Sequence, residues 1–176
     1  MLKGPGRSLI AVSVIRQIMD HEKLDSIDLR ILSELQANGR ITNVELSRRA
    51  KITAPPCLRR MRALEKAGYI RGYHADLDGK QLGYEVSAYV FVGLSSQADG
   101  DLKRFEEQVR SWPEVRECYM LSGEVDFLLK CVAKDLSSFQ NFITNTLTAA
   151  KNVAGVKSSL VIRPTKREPG VPVDSR

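Results

Sequence analysis

An α+β fold with a basic first half is predicted for this sequence of 176 residues, and three observations support these two features. Apolar residues recur at helical spacing between residues 24 and 67. After residue 84, β-branched and aromatic runs alternate with helical segments in the order βαββαβ. Residues 1–80 hold 15 Lys and Arg against 9 Asp and Glu, whereas residues 81–176 hold 12 of each. We therefore predict a basic winged helix-turn-helix domain followed by a ferredoxin-like domain.

The domain plan follows from these patterns and from the glycines and prolines between them. Gly79 and Gly83 mark a linker, and the Pro-rich, charged end of the chain is expected to be mobile. The predicted boundaries are an N-terminal extension over 1–23, the helix-turn-helix domain over 24–75, the linker over 76–84, the ferredoxin-like domain over 85–163 and a flexible tail over 164–176.

The first two helices have clear beginnings and ends. Asp25 is the expected N-cap of the first helix, which ends at Asn38-Gly39. Its apolar face consists of Leu24, Ile27, Ile31 and Leu35. The second helix opens with a capping box from Thr42 to Glu45, in which each side chain satisfies the other's free amide. It is expected to end after about two turns, at the tight connection of residues 51–53.

The third helix is predicted to begin near Pro56, because each proline disfavours helical geometry in the residue before it. Thr53 then has no amide to cap. The predicted inner face is Leu58, Met61 and Leu64, and Gly68 ends the helix. The alternation over residues 69–75 predicts a strand that forms the wing.

The second half supplies the strands and helices of the ferredoxin-like domain. Phe91 and Val92 in its first strand fit either a dimer contact or the core, and Trp112-Pro113 ends a helix and packs. The predicted strands cover Val86–Val92, Val115–Met120, Asp126–Val132 and Val156–Ile162. The helices between them carry Leu102, Phe105 and Val109 in one case, and Phe139, Ile143 and Leu147 after Asp135 in the other.

Arginines concentrate on the predicted third helix. With its apolar face on the scaffold, we expect Arg59, Arg60 and Arg62 to point away from it, towards guanine edges or phosphates in a major groove. Phosphate contacts are predicted for Arg48, Arg49 and Lys51, and wing contacts for Arg71 and His74. Two alternatives stay open. The arginines fit a solvated face paired with Glu45 and Glu65, and basic three-helix bundles also bind proteins.

Cysteine and histidine usage points away from metal and disulfide chemistry. Cys57, Cys118 and Cys131 form no CxxC pair, and the sequence has two histidines, His21 and His74. We therefore expect no metal site, no cofactor and a reducing cytoplasm, with Cys57 as a packed small residue. No apolar run approaches the ~20 residues of a membrane helix, so no membrane association is expected.

Residues 56–73, PCLRRMRALEKAGYIRGY, closely resemble the recognition helix and wing of the leucine-responsive regulatory protein (Lrp)/AsnC family. Residues 24–28 and 38–46 look like that family's first two helices. Residues 122–129, SGEVDFLL, resemble the turn of its sensing domain. The resemblance covers roughly residues 24–162, and the motif of the third helix is highly specific.

The resemblance implies a bacterial transcription regulator that binds double-stranded DNA. It also implies dimers that pair through the sheet and assemble into larger even-numbered oligomers, with an amino acid or related effector bound between neighbouring sensing domains. Family members activate or repress genes of amino-acid metabolism. The DNA-binding residues expected here are Arg48, Arg49, Lys51, Thr53, Pro55, Pro56, Arg59, Arg60, Arg62 and Arg71. The expected effector residues are Met120, Ser122, Gly123, Glu124, Asp126 and Leu136.

The predicted effector turn makes chemical sense, although the sequence departs from the family there. Gly123 would let backbone amides face a carboxylate, and Glu124 or Asp126 could meet an ammonium group. A plain acidic hairpin is the alternative. The family commonly has Gly-Asp-Tyr-Asp where this chain has Gly-Glu-Val-Asp, which puts the ligand's identity in doubt. Pro55 stands where the family often has a hydroxyl residue, which removes one possible polar contact with DNA.

Two other functions share this architecture. Siroheme decarboxylases resemble the same two-domain family, but they would require histidines in the sensing region, and this chain has none after His74. An architectural, DNA-compacting protein would bind without sequence preference and without an effector. We expect a cytoplasmic, non-enzymatic regulator.

Overall fold

The computed structural model of the protein describes residues 24–173. The predicted N-terminal extension over 1–23 and the last three residues of the tail lie outside the described residues. The chain divides into two compact units. One ends at Ala75 and also includes the segment from Glu168 onward, and the other spans Asp76–Arg167.

The first unit is built on three helices, α1 (Ser26–Ala37), α2 (Asn43–Ala50) and α3 (Ala54–Lys66). Their core is a cluster of fully or nearly fully buried side chains: Ile31, Leu35, Leu46, Ala50, Cys57 and Leu64. As predicted, Cys57 is a buried small residue, and burial raises the pKa of its thiol.

The capping box lies at α1 rather than at α2. Asp25 accepts hydrogen bonds from the amides of Ile27 and Asp28, and the Asp28 carboxylate accepts one from the amide of Asp25. At α2, Thr42 accepts from the Glu45 amide as predicted. The predicted return bond is replaced, because the Glu45 carboxylate binds two arginines instead.

Helix α3 begins at Ala54, so the prediction of a start near Pro56 is wrong by two residues. The prolines fall in the first turn, where amides have no intrahelical partner and their loss costs nothing. Gly68 ends the helix with a φ of 80°. The Tyr69 amide donates to the Leu64 carbonyl and the Gly68 amide to the Glu65 carbonyl, both at 3.0 Å, which is a Schellman motif.

Residues 69–75 form no strand, and the predicted wing strand is wrong for the described chain. The segment is extended and mostly exposed, but strand pairing needs a second strand, and none of the described residues pairs with it. A side-chain bond holds it locally, since the Tyr73 hydroxyl donates to Glu65 at 2.9 Å.

The second unit contains the strands β1 (Val86–Leu94), β2 (Val115–Met120), β3 (Phe127–Ala133) and β4 (Val153–Leu160). They form an antiparallel sheet with the order β2-β3-β1-β4. Together with the βαββαβ chain order, this is the predicted ferredoxin-like arrangement. The last strand begins three residues earlier than predicted and stops two residues earlier. The helical elements are α4 (Asp99–Arg110), α5 (Leu136–Phe142) and a π-helical turn (Ile143–Leu147).

One face of this sheet forms the core of the unit. Burial alternates along β1 and β3, as expected for strands covered on one side. Val92 is fully buried in this core, whereas Phe91 is half-buried on the opposite face. Trp112 packs here as predicted, edge-on to the rings of Phe105 and Phe142.

The described part of the tail makes specific side-chain contacts. Within the second unit, Arg167 forms an ion pair of 2.7 Å with Asp76. Within the first unit, the Gln36 side-chain amide donates to the Val171 carbonyl at 2.7 Å. A proline-rich composition did not reveal either partner, because both are distant in sequence.

Candidate nucleic-acid interface and effector turn

Helices α2 and α3 are joined by a turn that fixes their relative direction. Lys51 adopts the left-handed conformation with a φ of 58°, which ends α2 abruptly. The Asn43 side-chain amide, at the start of α2, donates to the Ala54 carbonyl at the start of α3, at 3.2 Å. These features produce the short two-helix unit that a helix-turn-helix requires.

The arginines of α2 share one carboxylate. Arg48 binds Glu45 through two nitrogens at 2.7 and 2.8 Å, and Arg49 donates to the same carboxylate at 2.6 Å. These bonds lower the pKa of Glu45 to about 2, with the Arg48 hydrogen bond as the largest cause. Arg49 also reaches Glu34 on α1 at 3.0 Å. Arg49 is therefore tied to the scaffold, whereas the Arg48 side chain is 73% exposed.

Two arginines of α3 lie on its solvent side. Arg59 and Arg62 are exposed, and within residues 24–173 neither has a hydrogen bond or ion pair. Pro55 and Lys66 are also exposed and fall at spacings of three or four residues from them, on the same side of the helix. This exposed stripe is the part of α3 that is free to meet a polyanion.

Arg60 occupies a different place from the one predicted. Its Nη1 donates to Asp25 and to Asp28 on α1, at 2.8 Å each. The prediction that it points away from the scaffold with Arg59 and Arg62 is wrong. The reason is helical periodicity: Arg60 lies three residues after Cys57 and four before Leu64, both of which are buried.

The other predicted DNA-binding residues surround the start of α3. Thr53 is exposed and makes no capping bond, which agrees with the prediction that its hydroxyl has no amide to cap. Pro55 is exposed, Pro56 is half-buried, and Lys51 and Arg71 are exposed. The structure thus places most of the predicted basic and polar set on accessible positions of one unit.

The predicted effector turn lies between β2 and β3. Ser122, Gly123 and Glu124 are exposed, and the Met120 side chain that precedes them is 53% exposed. Gly123 does not use the left-handed conformation available to glycine, and a Cβ built on it would meet nothing within 4 Å. Nothing in the fold of the described chain therefore requires glycine at this position.

Asp126 faces inward from this turn. Its carboxylate accepts a hydrogen bond of 2.7 Å from the Leu94 amide, and its own amide donates to the Val92 carbonyl at 3.0 Å. Its carbonyl accepts from the Leu121 amide at 2.8 Å, which closes the turn. The side chain thus continues the β1–β3 ladder beyond its last residue pair, Val92 and Phe127.

Leu136 lies away from the other predicted effector residues in the same protomer. It is the first residue of α5 and is half exposed. The turn precedes β3 and Leu136 follows it, so the strand's seven residues separate them by roughly 20 Å. One protomer does not gather the predicted effector set into a single site.

Sequence reasoning missed the partners of the two inward-facing charges. The sequence predicts Asp25 only as a helix cap, and it predicts neither the ion pair of Asp28 with Arg60 nor the bond between Asp126 and the Leu94 amide. The burial of Cys57 is the signal that could have placed Arg60, because buried positions at 57 and 64 put residue 60 on the inner side of α3.

Comparison with known protein families matches each unit. Residues 24–71 match the family described as winged helix-turn-helix DNA-binding, and residues 87–171 match the Lrp/AsnC ligand-binding domain. In the described residues, no helix has the length and apolar character needed to cross a membrane. Fold and site therefore define a DNA-binding transcription regulator with a ligand-binding domain.

Individual relatives place the chain more closely. It is 56% identical over 144 residues to a leucine-responsive regulatory protein of Rhizobium meliloti, covering 82% of this chain and 92% of the relative. It is 41% identical to the Bkd operon transcriptional regulator of Pseudomonas aeruginosa, covering 80% and 92%. A transcriptional regulator of Neisseria meningitidis, solved as a complex with L-Met, superposes with a TM-score of 0.82 at 38% identity, covering 86% and 98%. The chain belongs to the Lrp/AsnC family of transcription regulators.

Proposed function

We propose that this regulator reads its operator with the exposed stripe of α3 and that an amino acid bound at the β2–β3 turn adjusts this binding. Residues 24–75 carry the first role and residues 85–163 the second. The observation that carries the proposal is the pair of exposed arginines, Arg59 and Arg62, on the second helix of a helix-turn-helix.

The operator surface divides into base contacts and phosphate contacts. Arg59 and Arg62 are suited to base edges because a guanidinium can donate two parallel hydrogen bonds to guanine. Lys51 and Arg71 are exposed near the two ends of α3 and are suited to phosphate contacts. Arg48 can also contact a phosphate if its exposed guanidinium gives up part of its contact with Glu45. Thr53, Pro55 and Pro56 line the end of α3 that approaches the groove, whereas Arg49 is held by Glu34 and Glu45.

The proposed effector is an α-amino acid with an apolar side chain. Support comes from the relative of known structure that is described as an L-Met complex. Met120 offers an exposed apolar surface beside the turn, and Ser122 and Gly123 offer accessible polar groups for a carboxylate. Glu124 is exposed and suited to an ammonium group, and Asp126 is the second acidic candidate.

The proposed effector site requires the assembly of several protomers. The open face of the sheet carries a row of Tyr119, Leu128 and Phe91 side chains, adjacent in the strand register. Such a row suits pairing with the same face of a second copy, because a two-fold interface uses one patch twice. Leu136 is about 20 Å from the turn of its own protomer, so we propose that it joins the effector site of a neighbouring copy in an even-numbered oligomer.

The regulator is proposed to act in the bacterial cytoplasm, by binding rather than by catalysis. The support is that its relatives are named as regulators, among them proteins at 56% and 41% identity.

A binding titration tests the proposal. Fragments selected from genomic DNA by the full chain provide the specific probe, and affinity is measured at fixed salt with and without L-methionine. Arg59→Ala and Arg62→Ala are each expected to weaken specific binding by about 1–3 kcal/mol. Arg110→Ala is the matched control, because it removes an exposed arginine from the other unit. Unchanged affinity in both α3 variants would refute the operator surface. The titration is repeated with each of the other apolar amino acids, and a response to none of them would refute the effector site.

A further inference from the structure

The two carboxylates at the start of α1 divide their oxygens between two tasks. One oxygen of Asp25 accepts from the amides of Ile27 and Asp28 at 2.9 Å, and one oxygen of Asp28 accepts from the Asp25 amide at 3.3 Å. The remaining oxygen of each carboxylate accepts from Arg60 Nη1 at 2.8 Å. A single guanidinium nitrogen thus joins both acids of the α1 capping box to the middle of α3.

The position of Arg60 on α3 suits this bridging role and not a groove contact. Its side chain is 31% exposed, and that of Asp28 is 18% exposed, so the pair is partly shielded from solvent. Cys57 and Leu64, one turn to either side, are buried in the core. Arg59 and Arg62 lie together on the exposed stripe of the helix.

We infer that Arg60 is a positioning residue for operator recognition: it locks α3 to the capping box of α1, so that Arg59 and Arg62 meet the groove in one register. This inference rests on the proposed operator surface. A base contact requires the arginine within hydrogen-bond distance of the correct edge, so a small rotation of α3 weakens specific contacts. Non-specific binding depends on charge near phosphates and tolerates such a rotation.

The observable that follows is the ratio of specific to non-specific affinity. A thermodynamic cycle in the full chain compares the wild type, Arg60→Gln, the double variant Asp25→Asn/Asp28→Asn, and the triple variant. Asparagine still caps a helix, so the double variant removes the ion pair while keeping the α1 cap. The probes are a selected operator fragment and a scrambled fragment of equal length, each titrated over a range of salt concentrations.

We expect Arg60→Gln and the double aspartate variant each to lower the specificity ratio by about tenfold, as the loss of charge-assisted bonds predicts. The specificity ratio of the triple variant should fall no further than that of Arg60→Gln, because the arginine change and the aspartate changes break the same ion pair. The dependence of log affinity on log salt should keep its slope in Arg60→Gln.

A direct DNA contact by Arg60 gives the opposite pattern. Arg60→Gln would then reduce the salt slope by about 0.9 for a lost phosphate contact, the aspartate variant would keep its specificity, and the losses would add. Either that pattern or an unchanged specificity ratio in Arg60→Gln overturns the inference.

Two further variants keep the test decisive. Arg60→Lys retains a positive charge within reach of the two carboxylates, so it should stay closer to wild type than Arg60→Gln and serves where the glutamine variant fails to fold. Arg59→Gln separates the two proposals, because it must lower operator affinity if the exposed stripe reads DNA. If Arg59→Gln has no effect and Arg62→Gln has none either, the operator surface fails. If Arg59→Gln weakens binding while Arg60 and the aspartates act additively, only the positioning role fails.

Discussion

In the helix-turn-helix unit, Arg48, Arg49 and Arg60 all bind carboxylates of the same unit, whereas the sheet unit presents its turn with Glu124 exposed to solvent. The acids of the first unit therefore organise its basic surface and select which arginines stay available. In the second unit one acid, Asp126, is turned inward to close the loop and another is left outside. A charged residue in a functional motif can therefore either remain exposed at the site or stabilise the fold. Its position along the helix or strand decides between these two roles.

The largest effect should come from removing Phe127, which anchors the strand that leaves the turn. Phe127 is fully buried, and its ring lies 4.7 Å from that of Phe105. Phe127→Ala is expected to cost about 3–5 kcal/mol in the free energy of unfolding, because a large cavity opens in the core. Denaturant unfolding followed by Trp112 fluorescence reports on this core, since Trp112 is the chain's single tryptophan.

Leu136→Ala is the control for this measurement. Leu136 is half exposed, so its loss should change the free energy of unfolding much less than the loss of Phe127. If Phe127→Ala lowers the free energy of unfolding only slightly, the turn is not anchored by a packed strand. The distinction between an ordered scaffold and an exposed turn would then be wrong.

The next effect separates the two possible uses of Asp126. Asp126→Ala leaves the amide of the buried residue Leu94 without this partner and is expected to cost about 1–3 kcal/mol. Asp126→Asn retains an oxygen that accepts from this amide, so its stability should stay close to that of the wild type. Thermal unfolding of both variants measures the difference.

The effector response of the same two variants completes the comparison. If the negative charge of Asp126 binds an ammonium group, Asp126→Asn loses the response to the amino acid while remaining stable. If the residue only closes the turn, Asp126→Asn responds normally, and Glu124 becomes the remaining acidic candidate. Equal stability of the alanine variant and the wild type would contradict the inward role of the carboxylate.

The sequence predicted the helix-turn-helix and the βαββαβ order because these depend on local periodicity. On α3, Leu64 is buried and Met61 packs against the core as predicted, but Leu58 does not belong to the core described for this unit. Its neighbour Cys57 is fully buried instead, and Arg60, one turn further on, therefore lies towards the inner side. The partners of Arg60 lie 32 and 35 residues away, a distance over which periodicity carries no information.

The wing and the β2–β3 turn also depend on partners that are not visible in local sequence patterns. Alternation over residues 69–75 suggests a strand, but a strand exists only where a partner supplies hydrogen bonds, and pattern does not report partners. The turn after β2 was predicted correctly from its glycine and polar residues. The direction of Asp126 was not, because it depends on the Leu94 amide, which lies beyond the last β1–β3 residue pair.

The smallest effect concerns Glu45, whose carboxylate gathers Arg48 and Arg49. Hydrogen bonds from these arginines lower its pKa from 4.5 to about 2. A lowered pKa means that the stabilisation from these ion pairs is fully present above pH 4.5 and is lost as the pH falls through about 2. An NMR titration of the Glu45 side-chain carboxyl between pH 6 and 3 should therefore show almost no protonation. In the variant Arg48→Gln/Arg49→Gln the midpoint should rise towards 4.5. A wild-type midpoint already near 4.5 would mean that Glu45 does not hold these arginines, and that both are as available to DNA as Arg59 and Arg62.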